Sequence, residues 1–157
     1  MNIESVISTE LINLSLTAGS KEEALMLLIE LLYENNRISD KEEFLREVLD
    51  RENTETTDLG FGIAIPHGRC SAVTAPSIAI GKLQPPLTWS ENGESQQTPV
   101  YGIFLMASSP DNEEVSHMEI IARVATLLID DQFVAYFKNT QNEILLLEKI
   151  KSLLGEE

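Results

Sequence analysis

The apolar positions follow two periods, and these divide the chain into strands and helices. Residues 10–16 (ELINLSL) alternate apolar and polar side chains, which predicts a short strand broken by Gly19-Ser20. Ser20 with Glu23 reads as a capping box, and behind it Ala24, Leu25, Leu28, Leu31 and Leu32 share one helical face up to Asn35-Asn36. Asp40 with Glu43 repeats that signal, and Phe44, Leu45, Val48 and Leu49 predict a second helix reaching about Arg51. Residues 53–62 (NTETTDLGFG) are polar, end in two glycines and predict a loop. Ile63-Ala64-Ile65 is a brief strand stopped by Pro66, which puts His67 just past a strand end. Segments 77–83 and 99–107 are continuously apolar, as strands covered on both faces are, with a polar loop at 90–98 between them. The last third is helical. One helix opens at Ser109-Pro110 or at Ser116, with Ile120, Ile121, Val124 and Leu128 on its inner face. A short helical piece spans 131–138, and a final helix runs from a Thr140 cap, with Glu143 at its third position, to Leu154.

These elements predict an α/β fold: an α/β sandwich with a mixed central sheet flanked by helices on both faces. No repeat, low-complexity tract or linker interrupts the chain, so its 157 residues are expected to form a single domain spanning 1–157.

Composition narrows the partners. Hydrophobic residues are 43% and charged residues 24% of the chain, which is globular, but 11 Lys+Arg stand against 26 Asp+Glu for a net charge of −15. Such a surface repels nucleic-acid phosphates and anionic lipid and suits a basic protein partner. The longest apolar stretch, Ala24 to Leu32, is broken by Glu30 and falls well short of a bilayer span, so no membrane insertion is expected. Met1-Asn2-Ile3-Glu4 lacks the basic and apolar regions of a signal peptide. The lone cysteine, Cys70, excludes an internal disulfide and fits a reducing compartment, so the expected location is cytoplasmic.

The chemistry concentrates between Arg51 and Gly68. His67, between rigid Pro66 and permissive Gly68, is a candidate nucleophile, because a neutral imidazole attacks near pH 7. The same dipeptide context also suits a plain turn residue. His117, the only other histidine, falls in the first turn of its helix on the face of Ile121, Val124 and Leu128, so it points toward the sheet. It is either a packing residue or a group placed where a helix end favours an anion. Arg51 is one of five arginines and either caps a helix C-terminus or clamps a phosphate through its planar fork. Two rivals carry less. His67, Cys70 and His117 as zinc ligands fit no usual spacing, and a Cys–His hydrolase lacks a nucleophile elbow.

The string Arg51-Glu52, then Thr56-Thr57-Asp58-Leu59-Gly60-Phe61-Gly62-Ile63-Ala64-Ile65-Pro66-His67, resembles a known family. It is similar to the enzyme IIA domain of the mannitol/fructose type in the bacterial phosphoenolpyruvate-dependent sugar phosphotransferase system, a family that includes the nitrogen-related enzyme IIA. Pro99-Val100 and His117-Met118-Glu119-Ile120 extend the likeness along nearly the whole chain. The resemblance implies an α/β sandwich and a phosphocarrier. His67 would take a phosphoryl group from phospho-HPr and pass it to an enzyme IIB, His117 would be the second active-site histidine, and Arg51 would pair with the phosphate. Donors from the glycine-rich loop at Gly60 and Gly62, and the Thr57 hydroxyl, would add support, with no metal and no cofactor. Two roles are implied: a transport component with separate IIB and IIC partners, or a regulatory module whose binding follows His67 phosphorylation. Asp58 stands where the family has a glycine, and aspartate tolerates positive φ well enough for the loop to keep its shape.

Overall fold

The computed structural model describes residues 3–89, 99–111 and 115–155. After 3-10 turns at Ile3–Ser5 and Thr9–Leu11 come β1 (Ile12–Leu16), α1 (Lys21–Glu34), α2 (Lys41–Thr54), β2 (Ile63–Ala64) and β3 (His67–Arg69). Then follow β4 (Ser77–Leu87), β5 (Val100–Ser108), α3 (Val115–Leu127), α4 (Asp131–Asn139) and α5 (Glu143–Leu153). The strands form one mixed sheet in the order β1-β4-β5-β2, with β3 also on β5. Among the described strand pairs only β4 and β5 run antiparallel; β1 is parallel to β4, and β2 and β3 are parallel to β5.

Each face of the sheet buries its own apolar core, as an α/β sandwich requires. On one face α1 and α2 pack through Leu25, Leu28, Leu32, Phe44 and Val48 onto Leu105, Ala107 and Ala64. On the other, α3, α4 and α5 pack through Ile120, Val124, Phe133, Phe137 and Leu146 onto Ile63, Phe104 and Met106. Both leading caps form as expected: Ser20 Oγ accepts from the Glu23 N–H at 3.1 Å and Asp40 Oδ1 from the Glu43 N–H at 3.0 Å.

Several boundaries move. The chain after Pro66 does not leave the sheet: His67 opens β3, pairing with Met106. The second helix continues past Arg51 to Thr54. β4 runs on to Leu87 through Pro85 and Pro86, because these lie at its exposed end where no ladder donor is demanded. α3 starts at Val115, so Ser116 lies inside its first turn, while Ser109 closes a turn by accepting from the Asp111 N–H at 3.0 Å. The cap of α5 is Asn142, whose side chain accepts from the Leu145 N–H at 2.9 Å; Thr140 instead ends α4. The 90–98 loop lies outside the described residues.

Lys82, 2% exposed in the middle of β4, ties the second layer to the sheet. Its ammonium donates to the main-chain carbonyls of Phe137 and Lys138 at 3.0 and 3.2 Å and to that of Thr140. A buried cation at these orphan carbonyls satisfies both itself and the negative end of α4. Gly102, its partner across the ladder, makes room: a Cβ there would sit 2.6 Å from Phe137 Cε2.

Candidate functional site

Strand alternation decides which side chains surround His67. Gly68 faces α2, where an added Cβ would lie 2.7 Å from Phe44 Cζ and 2.8 Å from Val48 Cγ2. His67 therefore projects to the opposite face, the one its ladder partner Met106 shares with α3. The α3 residues Ile120, Ile121 and Val124 are buried in that same layer, and His117, half-buried, sits in the first turn of the helix. The helical face that periodicity assigned to Ile121 and Val124 is the one that packs on the sheet. Cys70 belongs to the other core, and its thiol meets the Glu43 and Glu47 charges of α2 while burial pushes its pKa up. The trio His67, Cys70 and His117 is therefore split across the sheet and does not assemble as a ligand set.

The surroundings of His67 favour its neutral form. Burial lowers its pKa and the Arg51 charge lowers it further, against smaller opposite effects from Glu52 and the Ile65 carbonyl. The ring is thereby kept neutral at pH 7, with a lone pair to offer. Its Nδ1 is buried with no hydrogen-bond partner among the described residues, as is Nδ1 of His117. With Nδ1 covered, Nε2 is the candidate nitrogen for an approaching group.

Arg51 comes from the last turn of α2, packed behind β3, and is exposed. Its Nη1 donates to the Glu55 carbonyl at 2.8 Å, closing the helix end, while its charge reaches His67. This placement matches the helix-capping reading of the arginine and leaves its charge within reach of His67.

The glycine-rich loop is placed differently from expectation. Gly62 adopts φ 101° and its carbonyl accepts from the Tyr101 and Gly102 N–H groups at 2.8 and 3.1 Å, at the start of β5. His67 pairs with Met106, four residues further along, so roughly 13 Å of strand separates the two. Gly60 (φ 96°) spends its N–H on Asp58 Oδ1 at 2.8 Å. Gly60 and Gly62 therefore shape the turn into β2 and do not cradle a group at His67. Thr57 lies nearer, its carbonyl accepting from the Ile65 N–H at 3.1 Å, but its hydroxyl donates to Glu52 Oε1 at 2.5 Å and is already committed. Asp58 does not need the left-handed region, since Asn36 alone among described non-glycine residues has positive φ. Its carboxylate closes the turn onto Gly60 instead.

Sequence reasoning missed Glu52 as a site residue. It is 5% exposed and anchors Thr56, Thr57 and Trp89. The available signal was the Arg51-Glu52 pair itself, an acidic residue at a helix end where charge favours bases.

Residues 5–152 match the family model described as phosphoenolpyruvate-dependent sugar phosphotransferase system, EIIA 2. The chain belongs to this EIIA family. It is 33% identical over 147 residues to the 2-O-alpha-mannosyl-D-glycerate-specific EIIABC component of Escherichia coli strain K12, covering 92% of this chain and 22% of that protein. The chain thus spans about a fifth of that relative's length. Among solved structures, the fold is similar to the nitrogen regulatory protein IIA-Ntr of Neisseria meningitidis (TM-score 0.80, 22% identity, 94% of this chain and 98% of that one). It is also similar to the Escherichia coli mannitol IIA solved in complex with phosphorylated mannitol IIB (TM-score 0.74, 23% identity, 94% of this chain and 99% of that one). An EIIA chain is a phosphotransferase component, and among the described residues no helix is long and apolar enough to cross a membrane.

Proposed function

We propose that this EIIA domain is a phosphocarrier in which His67 accepts a phosphoryl group from phosphorylated HPr and delivers it to an enzyme IIB. The observation that carries the reading is a neutral, half-buried His67 with Nδ1 covered, set beside Arg51 in a family of phosphotransfer components. In the first step the donor's P–N bond breaks as the bond from phosphorus to His67 Nε2 forms; in the second, the IIB nucleophile takes the group and His67 returns neutral. Phosphoryl transfer asks for in-line placement and charge stabilisation rather than covalent assistance. Arg51 supplies a fixed positive charge for the equatorial oxygens. His117, at the start of α3, supplies a ring and a positive helix end on the face where the phosphoryl group sits.

Transport is the favoured role, because the 33%-identical relative is a 2-O-alpha-mannosyl-D-glycerate-specific EIIABC component of a phosphotransferase system. A solved IIA of the same fold has been captured with its phosphorylated IIB. The acidic surface suits a basic partner meeting His67. Phosphotransfer from phosphoenolpyruvate through enzyme I and HPr, followed by a panel of IIB domains, tests the reading. A single acid-labile phosphate that moves to one IIB supports it; a phosphoprotein that no IIB discharges favours the regulatory role.

A further inference from the structure

Glu52 stands where a carboxylate costs stability, in the last turn of α2, where the helix dipole opposes negative charge. It is nevertheless 5% exposed and fully engaged. Oε2 accepts from the Thr57 N–H at 3.0 Å, the Thr56 hydroxyl at 3.1 Å and the Trp89 indole N–H at 3.1 Å, and Oε1 accepts from the Thr57 hydroxyl at 2.5 Å. The loop it grips is laddered onto the segment that leads to His67. The Ile65 N–H donates to the Thr57 carbonyl at 3.1 Å, the Leu59 N–H to the Ile63 carbonyl at 2.9 Å, and Asp58 bridges Ala64. Pro66 then fixes φ between Ile65 and His67, so displacement of Ile65 is passed on to the imidazole.

We infer that Glu52 is a positioning residue for His67, clamping loop 56–58, and through it the Ile63–His67 segment, to the end of α2 and to Trp89. The inference rests on the phosphocarrier reading for what His67 does, not for where it is held. A buried network with four donors on one carboxylate is all or nothing: removing the carboxylate leaves the Thr57 and Trp89 N–H groups unpaired. Its negative charge also bears on the His67 ring, opposing Arg51, so the clamp and the ring's electrostatics sit in one residue.

Glu52→Gln separates the two effects. The amide oxygen retains the three bonds of Oε2, and the amide NH2 donates to a Thr57 hydroxyl turned to accept, so the clamp survives while the charge is lost. Glu52→Ala loses both, and Thr57→Val removes the 2.5 Å bond at constant shape. Acceptance from phospho-HPr is expected to fall at least tenfold in Glu52→Ala, to recover largely in Glu52→Gln, and to be intermediate in Thr57→Val. By NMR, the His67 ring of Glu52→Gln is expected to titrate at lower pH than in the wild type, and its resonances to move in Thr57→Val. Wild-type rates and an unmoved His67 ring in both Glu52→Gln and Thr57→Val would overturn the inference, as would a Glu52→Gln rate no better than that of folded Glu52→Ala. If the wild-type protein takes no phosphate, the carrier reading fails and the NMR arm alone decides the positioning role.

Discussion

Gly68→Ala tests how tightly the edge strand that carries His67 is held against α2. The new methyl would lie 2.7 Å from Phe44 Cζ and 2.8 Å from Val48 Cγ2. Ordinary carbon contacts lie at about 3.5–4.0 Å, so roughly 1 Å of overlap must be relieved at each neighbour. Phe44 and Val48 are both 0% exposed and cannot swing into solvent. The strand must therefore move away from the helix, and overpacking of this kind costs about 1–3 kcal/mol. For a domain of this size that is a fall of roughly 3–10 °C in Tm, read by thermal unfolding followed by circular dichroism. The same movement withdraws His67 from Arg51 and Glu52, so phosphate acceptance should drop as well. Phe44→Leu in the Gly68→Ala background should restore part of both, with a coupling of at least about 1 kcal/mol between the two sites. Stability within about 0.5 kcal/mol of wild type for Gly68→Ala, with no coupling to Phe44, would refute the packing argument.

Arg51→Ala should slow acceptance by about 5- to 30-fold, the value of roughly 1–2 kcal/mol for one exposed charge-assisted contact, and Arg51→Lys should restore only part because a point charge lacks the fork; single-turnover kinetics with phospho-HPr measure both. His117→Ala should still accept phosphate but pass it to IIB about a hundredfold more slowly, as loss of one oriented donor does elsewhere, and rapid-quench measurement of each half-reaction separates the two steps. Because burial and Arg51 hold the His67 pKa below the ordinary histidine value, the acceptance rate should persist to lower pH than a free imidazole would allow, then fall as protonation removes the attacking lone pair. Arg51→Ala should move that fall to higher pH, by taking away a cause of the depression.

Local signals were the legible part of this chain. The Ser20 and Asp40 caps, the apolar faces of α1, α2 and α3, and the buried runs of β4 and β5 all follow from short-range periodicity, and they suffice for a mixed sheet covered by helices on both faces. His67 stood out through the family string that ends on it, since the Pro66-His67-Gly68 context alone equally suits a plain turn. What stayed hidden depends on distant partners. Trp89 meets Glu52 across 37 positions, so the acidic residue at a helix end was the one local hint and its indole partner was not legible. β3 exists because Met106 and Ser108 offer a ladder, which the three residues His67–Arg69 do not advertise. Gly60 and Gly62 look like a phosphate loop in one dimension; their pairing with Asp58 and with the start of β5 makes them a turn. Thr140 and Asn142 are both cap-forming types, and the structure uses Asn142, the stronger of the two, while Thr140 ends α4.

The central claim is that one nitrogen of one histidine carries the phosphate. Phosphorylating the uniformly 15N-labelled protein through enzyme I and HPr, then recording 31P and 15N NMR alongside His67→Ala, tests it most directly. A single phosphohistidine on Nε2 of His67 is expected, absent from His67→Ala while the fold is retained. Phosphate on His117, or on Nδ1 of His67, would contradict it.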